Sequence, residues 1–164
     1  MKRTQRIFPW MLGVAVALFA LAIVLVEWTD RRSRVATGLD TVDAQHVTWG
    51  REIYVAYCAS CHGVDLEGQP NWQQRLPSGR LPAPPHDATG HTWHHPDRVL
   101  FGIVKEGPVP GKYAPPGHVS DMPAFGDVLA DDEIRAVLGY IKSTWPERER
   151  SYQIEVDRRD RARD

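Results

Sequence analysis

The sequence contains only two cysteines and three methionines, and it has no excess of positive charge. Two cysteines are too few for a fold that is held together by several disulfides. The formal net charge is −1, and after residue 26 it falls to −4, because 17 basic residues stand there against 21 acidic ones. This charge excludes a surface that binds nucleic acid through its phosphates. Each of the few sulfur atoms is therefore a candidate for a specific chemical role.

Apolar residues are also few once the first 26 positions are set aside. Those positions hold 19 apolar residues, whereas the remaining 138 positions hold 50, or 36%. This proportion is low for a domain that must bury a core of its own. We therefore expect the domain after residue 26 to pack around an additional apolar body.

One long hydrophobic run is present, and it lies at the N-terminus. Residues 7–26 carry no charge and as a helix would span about 30 Å, which is enough to cross a bilayer. Basic residues precede the run, so residues 1–26 are predicted to anchor the chain in a bacterial inner membrane with the C-terminal domain in the periplasm. A signal peptide cleaved near Ala22 is the alternative. Residues 27–42 are predicted to be a flexible linker.

Three helices are predicted in the domain that follows, residues 43–146, and no strand. The first begins at Asp43 and leads into Cys58, and the second runs from Pro96 to Gly107. The third begins near Asp131, whose carboxylate could cap it, and ends near residue 144. Proline-rich stretches at 63–95 and 108–125 separate these helices. Residues 147–164 hold 12 charged residues of 18 and are predicted to be a solvated tail or a frayed helix.

The motif that carries chemistry is Cys58-Ala59-Ser60-Cys61-His62, the attachment pattern of a c-type haem. Two cysteines three positions apart share one face of a helical turn, so both thiols can add to the vinyl groups of one porphyrin. The adjacent His62 can then supply the proximal imidazole to the iron. The sequence therefore predicts one covalently attached haem c, with Cys58 and Cys61 as the attachment residues.

Two other interpretations of the cysteines are weaker. A zinc site could combine Cys58 and Cys61 with His91 and His95, but 29 residues separate Cys61 from His91, against about 12–15 in a zinc finger. A thioredoxin-like dithiol would require a βαβ unit, and none is visible in the sequence.

A sixth ligand for the iron is expected from Met122, the one methionine beyond the N-terminal run. Methionine sulfur together with imidazole is the ligand pair that raises the reduction potential of a haem. Met122 stands among proline and polar residues rather than on an apolar helix face, which disfavours a role as core filler. His118 is the competing candidate, and the remaining histidines are weaker ones.

These features resemble class I cytochrome c, the monohaem family with histidine and methionine as iron ligands, here as a membrane-anchored member. The resemblance rests on Cys58–His62, on Met122 and on Gly50-x-x-x-Tyr54-x-x-x-Cys58, and covers about residues 43–145. It implies an all-α fold of three to four short helices around the haem, in which the first and last helices cross. It also implies two contacts around the haem. A proline carbonyl, supplied by Pro84 or Pro85, accepts a hydrogen bond from His62, and Trp93 donates to a haem propionate.

The function expected from this resemblance is one-electron transfer between redox partner proteins, with no catalysis by the chain itself. The partners are expected to be membrane complexes with a basic docking patch, and the chain could be a subunit of a larger oxidoreductase. Two alternatives stay open. One is a haem sensor or peroxidase-like protein with a labile sixth ligand. The other is a copper-handling module that uses His91, His94 and His95.

Overall fold

The computed structural model describes Ala22 and residues 44–163. The predicted anchor, apart from Ala22, and the predicted linker lie outside the described residues. Within the part of the chain that is described, no helix has the length and apolar character needed to cross a membrane.

The described domain is all-α, as predicted, and residues 44–163 contain no β-strand beyond a single isolated bridge between Pro110 and Ala114. Within residues 44–163, five α-helices and one short 3-10 turn follow one another. They are α1 (Ala44–Tyr57), α2 (Ala59–His62), the 3-10 turn (Thr92–His94), α3 (Asp97–Glu106), α4 (Asp131–Ser143) and α5 (Glu147–Arg161).

The helix ends follow from local sequence, with one correction. Helix α3 begins directly after Pro96 and ends at Gly107, whose φ of +80° suits glycine. Helix α4 begins after Ala130, which has no side-chain acceptor. The predicted cap, Asp131, instead forms a salt bridge with Lys105 at 2.7 Å. Glu133 completes the helix start, because its carboxylate accepts the backbone N–H of Ala130 at 2.8 Å.

Helices α1 and α4 form the centre of the domain and cross at a glycine. A Cβ atom on Gly50 would lie 2.0 Å from the carbonyl oxygen of Ala136, so only glycine permits this approach. The ring of Tyr54, on the next turn, lies 5.4 Å from the ring of Tyr140. Most of the core surrounds this crossing, with fully buried side chains that include Tyr54, Ile134, Val137 and Trp145.

Residues 147–161 differ from the predicted solvated tail, because they form helix α5 and bury polar side chains against the domain. The buried residues are Glu149, Gln153, Asp157 and Asp160. The sequence-based expectation failed here because it counted charges and took them to face water. Polar and charged side chains can be buried when they have hydrogen-bond or ion-pair partners, and Gln153, Asp157 and Asp160 find theirs at the start of helix α3.

The start of helix α3 supplies the partners of α5. The carboxylate of Asp157 accepts the backbone N–H of Asp97 at 3.0 Å and so caps α3 from another helix. The amide of Gln153 donates to the carboxylate of Asp97 at 2.7 Å, and Lys142 donates to the same carboxylate at 2.9 Å. One turn further on, Asp160 binds Arg98 through two hydrogen bonds of 2.5 and 2.8 Å.

Candidate haem site

Of the predicted attachment residues, Cys58 lies on the turn between helices α1 and α2, and Cys61 lies in α2. The backbone N–H of Cys58 still bonds to Tyr54 at 2.8 Å, and the N–H groups of Cys61 and His62 both return to the carbonyl of Cys58, at 3.1 and 3.0 Å. This tight turn holds both thiols, which are free, next to His62. Burial, followed by the neighbouring Cys61, raises the pKa of Cys58 to about 11, so its sulfur is a protonated thiol at neutral pH.

The His62 ring is buried and oriented by a backbone carbonyl. Its Nδ1–H donates to the carbonyl oxygen of Pro84 at 2.9 Å, which leaves Nε2 as the nitrogen for a metal. Burial is the main influence on the pKa of His62 and lowers it, so the imidazole is neutral at neutral pH. A neutral imidazole is the form that binds a metal. The resemblance left Pro84 and Pro85 as alternatives, and the structure places Pro84 in this contact.

A turn between residues 63 and 69 brings His62 and the proline segment together. The backbone N–H of Gly68 donates to the carbonyl of His62 at 2.7 Å, and Gln69 donates to Ala83 at 2.9 Å. Gly68 has a φ of +68°, and a Cβ atom there would lie 2.5 Å from the nitrogen of Pro85. Glycine is therefore required both for the turn and for the close contact.

Tyr54 contacts the beginning of this turn, and Pro85 contacts the segment that follows the prolines. The buried hydroxyl of Tyr54 donates to the carbonyl of Gly63 at 2.9 Å. Pro85 faces Gly90 instead of His62, since a Cβ atom on Gly90 would lie 2.0 Å from the carbonyl oxygen of Pro85.

His86 is the residue at this site that sequence reasoning missed, because it was considered only as a minor candidate for the sixth ligand. Its ring stacks on the ring of His62, with 4.0 Å between the centroids and 22° between the planes. Burial, aided by the neighbouring His62 and His91, holds the pKa of His86 well below its ordinary value. The 24 positions that separate the two histidines leave no local sequence signal for this contact.

Trp93 lies in the 3-10 turn and packs against the core. Its ring stacks on His94 at 3.7 Å, and Tyr152 of helix α5 meets it edge-on at 5.3 Å. The indole Nε1–H is buried and has no hydrogen-bond partner among residues 44–163. Buried donors without an acceptor are rare, and a haem propionate is an acceptor of the kind that this one lacks. The donor set and this unsatisfied group both fit a haem.

Met122 is half-buried on the loop between helices α3 and α4. Its backbone N–H donates to the hydroxyl of Ser120 at 3.0 Å. A cavity of about 310 Å³ is lined by Met122 and also by His118, so the predicted thioether and the competing imidazole share one cavity wall.

Several contacts connect the Met122 loop, residues 108–125, to the rest of the domain, and three of them lie within three positions of Met122. The ring of Phe125 meets the ring of Tyr57, the last residue of α1, at 6.3 Å. The backbone N–H of Phe125 donates to Val104 of α3 at 3.0 Å. On the other side of Met122, Asp121 forms a salt bridge with Arg80 at 2.8 Å.

The copper and zinc interpretations are wrong for the described part of the chain. Within residues 44–163, no three His, Cys, Asp or Glu side chains are arranged to hold a metal ion. The ring of His91 stacks on Trp72 at 5.3 Å, and His94 stacks on Trp93. The rings of His91 and His95 lie 5.4 Å apart, but His91 and His94 pack against tryptophan rings, and within residues 44–163 no third ligand joins them.

Two free thiols beside a buried, oriented imidazole define a c-type haem protein. In agreement, residues 45–141 match the family described as cytochrome C oxidase, cbb3-type, subunit III. The chain belongs to this family of monohaem c-type cytochromes, binds haem c covalently and functions in electron transfer.

One curated relative is the gluconate 2-dehydrogenase cytochrome c subunit of Pantoea cypripedii, which is 30% identical over 96 residues. The matched segment covers 58% of this chain but only 20% of that relative, so the similarity concerns one part of a much longer protein. No solved structure matches the chain.

Proposed function

We propose that this chain carries single electrons between two redox proteins on the periplasmic side of a bacterial inner membrane. In this proposal Cys58 and Cys61 hold the haem, and His62 and Met122 are its axial ligands. The observation that carries the proposal is the His62 ring, which directly follows the second cysteine, is buried, and donates its Nδ1–H to the carbonyl oxygen of Pro84 at 2.9 Å. Residues 1–26 anchor the chain, and residues 27–42 connect the anchor to the domain.

When bound, the haem supplies a one-electron couple between ferric and ferrous iron. The chain's own residues decide how that couple is used. His62 and Met122 would together hold the iron, which would leave no position open to a substrate or to oxygen. The thioether of Met122 and the burial of the site both disfavour the ferric charge and raise the reduction potential. This arrangement suits an electron carrier that is not itself a catalyst.

Charge and similarity together support a partner class. The chain after residue 26 has a net charge of −4, which favours association with a basic patch on a partner. The relative from Pantoea cypripedii is named as the cytochrome c subunit of a dehydrogenase. We propose that this chain likewise serves as the electron-carrying subunit, or the close redox partner, of a larger oxidoreductase complex.

Redox titration and carbon monoxide binding test the axial ligands. The purified holoprotein should titrate as a one-electron couple and should show, when oxidised, the weak red-edge band of sulfur-ligated ferric haem. The reduced protein should bind carbon monoxide slowly and incompletely at neutral pH, because Met122 blocks the sixth position. Rapid, complete binding would contradict stable Met122 ligation and would favour a haem sensor or a peroxidase-like protein.

Membrane fractionation tests the anchor separately. The full chain should stay in the membrane pellet after an alkaline carbonate wash, and a protease added to spheroplasts should digest the haem domain. As a matched control, residues 27–164 behind a cleavable export signal should enter the soluble periplasmic fraction. Recovery of the full chain in the soluble fraction, with a new N-terminus near Ala22, would show a cleaved signal peptide instead.

A further inference from the structure

The imidazole of His86 lies flat against the imidazole of His62. The two ring centroids are 4.0 Å apart and the planes differ by 22°, which is a stacked arrangement. His62 already has its Nδ1–H fixed by Pro84 at 2.9 Å. That hydrogen bond fixes the direction in which the Nδ1–H of His62 points. It still allows the ring to rotate about the N–H···O axis. A second flat ring in van der Waals contact limits this rotation.

His86 is itself held from three sides. Its Nδ1 lies 2.8 Å from the hydroxyl of Thr92, which is buried. Its backbone N–H donates to the carbonyl of Leu66 at 2.8 Å. Its carbonyl accepts the indole N–H of Trp145 at 2.7 Å, and Trp145 is fully buried. The His86 ring therefore cannot move away from His62 without breaking contacts in the interior.

We propose that His86 is a positioning residue that sets the plane of the His62 ring, with Thr92 holding His86 in place. This inference rests on the proposed role of His62 as the proximal ligand. Residues behind a metal-binding histidine orient its ring, and losing one costs about 10–100-fold in metal affinity or activity. Whereas Pro84 supplies the hydrogen bond to His62, His86 supplies a flat face.

Three variants distinguish the effect of the stacked His86 ring from the effect of its hydrogen bond to Thr92. His86→Ala removes the stacked ring, His86→Phe keeps a flat ring but loses the bond to Thr92, and Thr92→Val removes the hydroxyl alone. His46→Ala is the matched control, because it deletes an exposed histidine whose ring meets Trp49 instead of His62.

The measurements are the electron paramagnetic resonance spectrum of the ferric holoprotein and its reduction potential. The orientation of an axial imidazole sets the anisotropy of a low-spin ferric signal, so this spectrum reports the plane of His62 directly. His86→Ala should shift the g-values and add a high-spin fraction. His86→Phe and Thr92→Val should keep g-values close to those of the wild type but broaden the signal, because both lose the hydrogen bond that holds the stacked ring. The control should match the wild type in both measurements.

A His86→Ala protein with the wild-type g-values and potential would overturn the proposal. If that variant does not accumulate with haem, Thr92→Val decides, and an unchanged spectrum of Thr92→Val would overturn the proposal as well. The wild-type spectrum separates this outcome from failure of the proposed function. A wild-type protein that is not low-spin would disprove the axial ligand pair itself, whatever the variants show.

Discussion

The two expected iron ligands are held in different ways. On the His62 side, meaning residues 58–68 and 83–92, the ligand ring is buried between a carbonyl and a stacked histidine, and backbone hydrogen bonds connect the segments. The Met122 loop, residues 108–125, is mostly exposed, and the salt bridge beside Met122 joins side chains that are 42% and 73% exposed. The difference indicates that the His62 side is part of the folded core, whereas the Met122 loop lies at the surface. We therefore expect changes on the His62 side to affect folding, and changes in the Met122 loop to affect the haem alone.

The largest expected effect comes from removing the attachment residues. The variant Cys58→Ser, Cys61→Ser should contain no covalent haem and should fail to fold, because the haem supplies apolar bulk to a domain in which only 36% of residues are apolar. Circular dichroism of the purified variant measures this. A variant that kept the full helical signal of the holoprotein would show that the domain folds without haem, and it would contradict this prediction.

Met122→Ala should change the haem without unfolding the domain. Loss of the thioether should lower the reduction potential by on the order of 100 mV, since the axial ligands set haem potentials over a range of about 0.8 V. The red-edge band should vanish while the helical signal stays at the wild-type level. His118→Ala, a change in the same cavity wall, is the control and should keep the band. A wild-type holoprotein without the band, whose reduction potential changes in His118→Ala but not in Met122→Ala, would assign the sixth position to His118.

Two glycines, one on the His62 side and one in the Met122 loop, allow the stability of these two regions to be compared by the free energy of unfolding. Gly68 and Gly111 have φ values of +68° and +78°, so alanine at either position costs about 1–2 kcal/mol in backbone strain. At Gly68 the added Cβ atom would also meet the Pro84–Pro85 backbone at 2.5 Å, whereas nothing lies within 4 Å of it at Gly111.

Gly68→Ala should therefore destabilise the holoprotein by about 3 kcal/mol and Gly111→Ala by about 1 kcal/mol. Denaturant unfolding, followed by haem absorbance, gives both values. Equal losses would mean that the His62 side is no more tightly packed than the Met122 loop.

The smallest expected effect concerns the salt bridge beside Met122. Arg80→Ala should change the free energy of unfolding by no more than about 1 kcal/mol, because exposed ion pairs contribute little. It should nevertheless accelerate binding of added imidazole to the ferric iron, since the loop would open more often. Asp121→Asn removes the same pair from the other end and should give the same rate. Different rates in the two variants would show that the pair itself does not hold the loop.

The features that sequence reasoning predicted are those encoded within a few adjacent residues. Helices α1, α3 and α4 follow from apolar spacing and from proline and glycine at their ends, and the haem motif occupies positions 58–62. The crossing at Gly50 came from the resemblance to a known family, and the structure explains it, because a Cβ atom at this position would lie 2.0 Å from the carbonyl oxygen of Ala136. Local patterns therefore sufficed for the framework of the domain.

The features that were missed depend on residues far apart in the chain. His62 and His86 stack across 24 positions, and Asp157 caps α3 across 60. The error about residues 147–161 has the same origin, because Gln153 and Asp160 are buried only by virtue of Asp97 and Arg98. Charge content alone does not reveal such pairs. A polar interface has no apolar periodicity that sequence reasoning can use.

The central claim is that one haem is joined covalently to Cys58 and Cys61. Mass spectrometry of the denatured holoprotein, matured in a host that attaches haem to c-type cytochromes, tests this most directly. We predict the mass of the chain plus one haem, located on the tryptic peptide of residues 52–75, with both thiols resistant to alkylation. The mass of the bare chain, with both cysteines open to alkylation, would contradict the account.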